Sequence, residues 1–450
     1  MSDPIQNLYE TCVYPAMSHP LSDPAVSAVA ALLSGLSVPH PASARILEIG
    51  CGSGLNLIPL ALRWPESQFT GIDLSGTSIA TARELAAAAR VTHVEFHATD
   101  LRDFDPGERG FDFIIAHGFL SWVPDDVKAA LFAFCRRHLT PTGIATISYN
   151  LEAGWTPRLP VIKKVRAIQQ AGAPDEMAAL AILRTVTEAG SPDLGIIDDM
   201  MAKGAAILAF DDFGPINDPW PLDRFVHAAA ELRTLGESDP ATQLPQTLDP
   251  STLDALRRIN PDPLAFLLAT DAASLRTFRS GVLCRSDAPH TQAIFQKRMV
   301  ELSVRPGRAP LSTQNQHIHQ ALVSNHPTGT PLDNHLAAMA GGDTDAMAQW
   351  AREGIEEGWL LARMGAVPFE GGVPTHPALN DLRRECVRRR LPVVDIWHRP
   401  CLFPAGHYQV LEAMDGSLDV TALAALASDR CPELNFDPWL KHLAGRGFFA

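Results

Sequence analysis

The chain has 450 residues, of which 46% are hydrophobic and 20% charged, and its 37 Lys and Arg against 51 Asp and Glu give a formal net charge of −14. That size carries two or three domains around at least one large core, and the acidic balance is the wrong sign for a phosphate-backbone binder. No stretch approaches the roughly 18 uncharged apolar residues of a membrane span, and seven cysteines without a CxxC pair argue against a disulfide framework.

Residues 1–43 form an N-terminal lead with two tyrosines and several prolines. Its first twenty residues hold no Lys or Arg and no apolar run, so no signal peptide is expected and the expected compartment is the reducing cytoplasm. From residue 44 to 150 strand-like and helix-like segments alternate. "RILEIG", "FTGIDLS", "VEFHATDL", "FDFIIAHG" and "GIATISYN" are the apolar strand segments. "LNLIPLALRW", "SIATARELAAAAR" and "DDVKAALFAFCRRHL" place apolar residues at helical spacing between them. Such alternation builds βαβ units, so the fold class is α/β with a doubly wound, mainly parallel, Rossmann-like sheet. A sheet of that kind binds ligands at the carboxyl ends of its strands, where the strand order reverses.

After Asn150 the alternation stops, and residues 158–206 read as a helical insertion. "PWPLDRFVHAAAELRTLG" reads as one further helix, and "TFRSGVLCR", 277–285, as a strand that closes the sheet. The main domain is therefore expected over 44–285. A middle lobe over 286–370 contains a Pro-rich linker from Arg305 to Pro331 and a long helix, "DTDAMAQWAREGIEEGWLLARMG". A smaller α+β lobe, winged-helix-like in type, is expected over 371–450.

"ILEIGCGSG", 46–54, puts Gly50, Gly52 and Gly54 directly after the first strand. Glycines there let the backbone turn sharply and let a ligand lie against a helix N-terminus. A dinucleotide fingerprint needs a small residue at position 55, which is Leu55 here. Glu48 precedes the loop, Asp73 ends the second strand 23 residues after Gly50, and Asp100 ends the third. An acid at the position of Asp73 accepts hydrogen bonds from ribose hydroxyls, and Asp100 is placed for an adenine amino group. The pattern fits an adenosine-containing ligand without a pyrophosphate; the competing reading is a tight turn that binds nothing.

"EIGCGSG", "GIDLS" and "ATDL" together resemble the class I S-adenosylmethionine-dependent methyltransferases. "YETCVYPAMSHP" at 9–20, "AHGFLSWVP" at 116–124 and "SYNLEAGW" at 148–155 narrow the likeness. With these the chain resembles the bacterial methyltransferases that carry a methyltransferase regulatory domain, which include protein-lysine methyltransferases acting on outer-membrane proteins. "NDPWPLDRFVHAAA", "FRSGVLC", "HPALNDLRRECVRRR" and "WHRPC" extend it more faintly towards the C-terminus; Ala153 stands where that family often has Pro. The resemblance implies that 44–285 is the methyltransferase domain and that S-adenosylmethionine is the cofactor. It implies that Tyr14, Glu48, Gly50, Cys51, Gly52, Gly54, Asp73, Leu74, Asp100, Leu101 and His117 bind that cofactor. It also implies a protein substrate, such as an outer-membrane or surface protein, with a small-molecule acceptor as the alternative.

Methyl transfer from a sulfonium is an in-line displacement, so the protein has mainly to align donor and acceptor and keep water out. An amine acceptor must also lose a proton. His117 follows the fourth strand and is the candidate base or orienting group; Tyr149 and Asn150 end the fifth strand and are candidates to hold the acceptor. Trp122 and Trp155 are candidate walls for a cationic alkylammonium, with core packing as the competing reading. Tyr9 and Tyr14 are placed in a lead that folds over the donor. The expected activity is methyl transfer to an amine, a protein lysine first, with a small-molecule N- or O-methyltransferase second and a non-catalytic S-adenosylmethionine sensor third.

Other signals carry less. His93 and His97 have no completing ligands for a zinc site, so no metal is expected. His317, His319, His326 and His335 read as solvated. "RRECVRRR", 383–390, reads as a solvated basic helix face. No base stands beside Cys51 in the sequence, so it is not expected to be a nucleophile.

Overall fold

The computed structural model describes residues 15–310, 313–325, 329–332, 343–366 and 371–449. Five strands arise where the alternation places them: β1 (Arg45–Ile49), β2 (Gln68–Asp73), β3 (Val94–Ala98), β4 (Phe111–Ala116) and β5 (Leu139–Asn150). With β6 (Leu232–Glu237) and β7 (Phe278–Arg285) they form one seven-stranded sheet in the order β3-β2-β1-β4-β5-β7-β6. The first five strands are parallel, β7 runs antiparallel to β5, and β6 antiparallel to β7. The order reverses between β1 and β4, and the carboxyl ends of both meet the glycine turn there.

Local chemistry starts the helices where they are needed. Asp23 accepts the N–H of Ala25 and Pro24 opens α1 (Pro24–Leu33). α2 (Leu57–Arg63) follows the glycine turn, and Ser75 caps α3 (Gly76–Ala88) through the N–H of Ser78. α4 (Asp125–His138) carries Asp125 and Asp126 in its first turn and Arg136, Arg137 and His138 in its last, which suits the helix dipole. The insertion folds as α5 (Leu159–Gln170), α6 (Glu176–Val186), α7 (Pro192–Ala202) and α8 (Ala205–Asp211).

Among the described residues three apolar clusters form the interior. One runs from α1 across one face of the sheet and continues without a break into the C-terminal residues as far as Phe448. A second covers the opposite face, from Leu47 to Leu283. The third, from Val161 to Leu208, lies wholly inside the insertion. Among the described residues no helix is long and apolar enough to cross a membrane.

Three sequence expectations need correction. "PWPLDRFVHAAAELRTLG" is helical only over Leu222–Ala228; the next residues form β6, because pairing with β7 outweighs local helical spacing. The long helix expected around 343–365 spans Thr344–Glu357, with Asp343 accepting the N–H of Ala346. Gly358, at φ +78°, ends it, and Leu360–Met364 turns back as a strand against Leu302–Pro306. The Pro-rich stretch from Arg305 is no bare linker: it contains a helix over Thr313–Asn325 and the strand Thr330–Pro331, which joins that small sheet.

Candidate active site

A cavity of 380 Å³ opens at the strand-order reversal. The glycine turn forms its floor. Gly50, Gly52 and Gly54 have φ of +74°, +50° and +75°, the left-handed region that side chains disfavour. They differ in what surrounds them. A Cβ on Gly54 would stand 2.9 Å from the Phe96 ring, and one on Gly50 2.9 Å from Phe119, whereas a Cβ on Gly52 would meet nothing within 4 Å. Gly54 is glycine for packing; Gly52 is glycine beside open space in the cavity.

Asp73 braces that floor. Its Oδ2 accepts the N–H of Gly52 and its Oδ1 the N–H of Ser75, both at 2.9 Å. Cys51, Leu74 and Leu101 line the cavity too. Burial, then Asp73 and Glu48, push the Cys51 thiol well above its ordinary value, so it is no nucleophile. Asp100 lines the cavity beside Thr99, but Arg102 grips it: Nε and Nη2 donate to its two oxygens at 2.9 and 2.6 Å. That pairing holds the Asp100 carboxyl below the usual range.

Glu48 is 3% exposed. Its Oε1 accepts from Asn56 Nδ2 at 2.6 Å, and its Oε2 has no partner among the described residues. Burial raises its carboxyl to about 8, with Asn56 opposing and Asp73 adding to the rise. An unpartnered buried acid beside the cavity is the strongest sign of a ligand there, because an oxygen left without a donor is costly in an apolar surround.

The cavity also gathers His19, His117, Phe119, Trp122, Asn150, Phe210, Asp211 and Phe278 from separate segments. His117 stacks on His19 with ring centroids 4.0 Å apart, and its Nδ1 has no partner among the described residues. Burial, then His19 and His398, hold His117 well below its ordinary value; burial brings His19 to about 4. Both rings are neutral at pH 7. A neutral imidazole of such low basicity orients an N–H better than it removes a proton. Asn150 Nδ2 donates to Asn217 Oδ1, and Asn217 Nδ2 donates to the Asp211 carbonyl, which ties the sheet edge to the insertion.

Two expected site residues, the acceptor-holding Tyr149 and the wall residue Trp155, lie elsewhere. Tyr149 is buried on the opposite face of the sheet, stacked on Phe225 at 4.4 Å. Side chains alternate along a strand, so Asn150 and its neighbour Tyr149 point to different faces. Trp155 is buried with its Nε1 donating to the Thr277 carbonyl, under Arg158 and Lys203, and is not part of the cavity lining. Trp122 does line it. Tyr9, Tyr14, His326 and His335 fall outside the described residues.

Sequence reasoning passed over His19, Asn56, Arg102, Phe210, Asp211 and Phe278. His19 was within reach, since it lies in the quoted lead; Asp211 had no local signal. The discounted features are structural. His93 bonds the Ala61 carbonyl, His319 the Gly307 carbonyl, and no metal-holding group occurs among the described residues. The basic helix 381–389 is less solvated than expected: Arg383 is buried on the Val394 and Phe448 carbonyls, and Arg388 and Arg389 pair with Glu385.

Residues 46–143 match the family described as "Methyltransferase domain". The chain has the fold of PKMT2 from Rickettsia typhi: at 21% identity the TM-score is 0.77 over 96% of each chain. Against the same protein in complex with AdoHcy it is 0.79 at 19% identity, over 97% of this chain and 99% of the other. The uncharacterized protein RP789 of Rickettsia prowazekii is 28% identical over 62% of this chain and 53% of its own length, and RP028 is 36% identical over 33% and 59%. The chain thus spans little more than half of these curated relatives. Trans-aconitate 2-methyltransferase of Variovorax paradoxus is 34% identical over 24% of this chain and 40% of its own. Residues 46–143 are therefore a methyltransferase domain of the class I, S-adenosylmethionine-dependent type.

Proposed function

We propose that the chain binds S-adenosylmethionine along the glycine turn and transfers its methyl group to an amine, a protein lysine before others. The observation that carries this is the pairing, in one cavity, of a side-chain-free floor at Gly52 with the unpartnered Oε2 of buried Glu48. An amino-acid tail bearing an ammonium fits beside Glu48, a ribose beside Asp73, and a purine between Leu74 and Leu101 near Asp100. The cofactor, when bound, supplies an already activated methyl on sulfur. The acceptor amine gives up its proton to water on entry; His117 and Asn150 then orient its nitrogen, and Trp122 and Phe278 exclude water.

The sequence resemblance to outer-membrane-protein lysine methyltransferases supports a lysine. The likeness to trans-aconitate 2-methyltransferase favours a carboxylate acceptor instead. That likeness covers only 24% of this chain, so it weighs less than the resemblance that runs through the lead and the strand ends. Mass spectrometry of a cell lysate incubated with the protein and isotopically labelled S-adenosylmethionine tests the proposal. Heavy methyl groups on lysine Nζ are expected; label confined to a small carboxylic acid, or no label, overturns it.

A further inference from the structure

The C-terminal lobe touches the donor end of the cavity through one imidazole. Asp395 builds the turn that carries it. Its Oδ1 accepts the N–H groups of Trp397 and Arg399 at 2.9 and 2.8 Å, and its Oδ2 accepts from Nε of Arg399 and Nε of Arg446, each at 2.9 Å. At the tip His398 sits at φ +62°, a conformation that glycine adopts freely and histidine does not. Its side chain is fully buried, 342 positions along the chain from Asn56, and its Nε2 lies 2.7 Å from Asn56 Oδ1.

The protons at this contact follow from donor logic. The N–H of His19 can only donate, and it points at Asn56 Oδ1 at 2.8 Å, so that atom is the oxygen. Asn56 Nδ2 then faces Glu48 Oε1 at 2.6 Å and Ser22 Oγ at 2.9 Å. His398 must donate from Nε2, which leaves Nδ1 bare, and Nδ1 has no partner among the described residues. A strained turn thus delivers one N–H to the amide that holds Glu48.

We propose that His398 is a positioning residue of the donor site: through Asn56 it fixes Glu48 with Oε1 engaged and Oε2 left for the bound donor. This rests on the reading of the cavity as an S-adenosylmethionine site. It makes the C-terminal lobe part of the donor site, although the match to the methyltransferase family covers only residues 46–143.

Calorimetric titration of S-adenosylmethionine into full-length wild type, His398→Gly, His398→Gln, Glu48→Gln and the double variant His398→Gly/Glu48→Gln tests it. Glycine suits the backbone of the turn, so His398→Gly keeps its melting temperature within a few degrees yet binds about tenfold more weakly. His398→Gln, whose amide can donate, recovers most of that loss. The double variant binds no more weakly than Glu48→Gln alone, because both changes act through one carboxyl. Additive losses, or a His398→Gln variant no better than His398→Gly, overturn the proposal and leave a packing role. Wild-type affinity in His398→Gly overturns it while the donor reading stands; a wild type that binds no donor overturns both. Should His398→Gly melt early, His398→Gln against His398→Met, alike in length and unlike in donor capacity, decides on the same terms.

Discussion

The two ends of the cavity are built by opposite means. The donor end is mostly backbone and short-range: three glycines within five residues, Asp73 bonded to two N–H groups, and Asp100 at the next strand tip. The residues proposed for the acceptor are side chains from far apart, with His117, Asn150, Asp211 and Phe278 drawn from two strand ends, the insertion and β7. A backbone-built site accepts few changes, since altering it alters the turn. A site assembled from scattered side chains can change its preference one residue at a time.

That contrast can be broken most severely at Gly54. Gly54→Ala combines a left-handed φ with a Cβ 2.9 Å from Phe96 and 3.1 Å from Ala82, so a loss of about 3 kcal/mol in denaturant unfolding is expected. Gly52→Ala faces no neighbour and loses only about 1 kcal/mol, but puts a methyl on the donor's floor; if both variants unfold equally early, the distinction between a packing glycine and a binding glycine fails.

Glu48→Gln comes next, and its sign is set by pH. Burial raises the folded carboxyl to about 8, above the model-peptide value of 4.5. Stability linked to Glu48 is therefore full below about pH 4.5, declines as pH rises towards 8 and then levels off. Without ligand, Glu48→Gln is expected to be more stable than wild type at pH 8 and equal to it near pH 4. Parallel melting curves across that range would remove the case for a strained donor carboxyl.

At the acceptor end, His117→Ala is expected to lower turnover about thirtyfold while donor affinity changes less than threefold. Equal loss of both would move His117 to the donor side. A smaller effect than at His117 falls on Asp73→Ala, expected to weaken donor binding about tenfold by calorimetry, since the variant loses both the ribose acceptor and the brace on Gly52.

The same contrast explains what could be read in advance. The sheet, the glycine turn and its acids were legible because each is a pattern within a few tens of residues: apolar runs, a glycine cluster, acids at strand ends. Tyr149 was misplaced, because strand alternation separates it from Asn150 even though the two are adjacent in sequence. Strand β6 was missed because its pairing partner, β7, lies some forty residues away and nothing in "ELRTLG" announces it. Asp211 left no signal, and His398 only its place in "WHRPC"; their positions depend on how the insertion and the C-terminal turn dock, which only long-range packing decides.

The apolar interior of the insertion, from Val161 to Leu208, is separate from the clusters that hold the sheet. Its last helix nonetheless brings Phe210 and Asp211 to the mouth of the cavity. The insertion is thus a small bundle with its own interior that reaches the cavity through the end of a single helix, so its core can be repacked without disturbing the glycine turn.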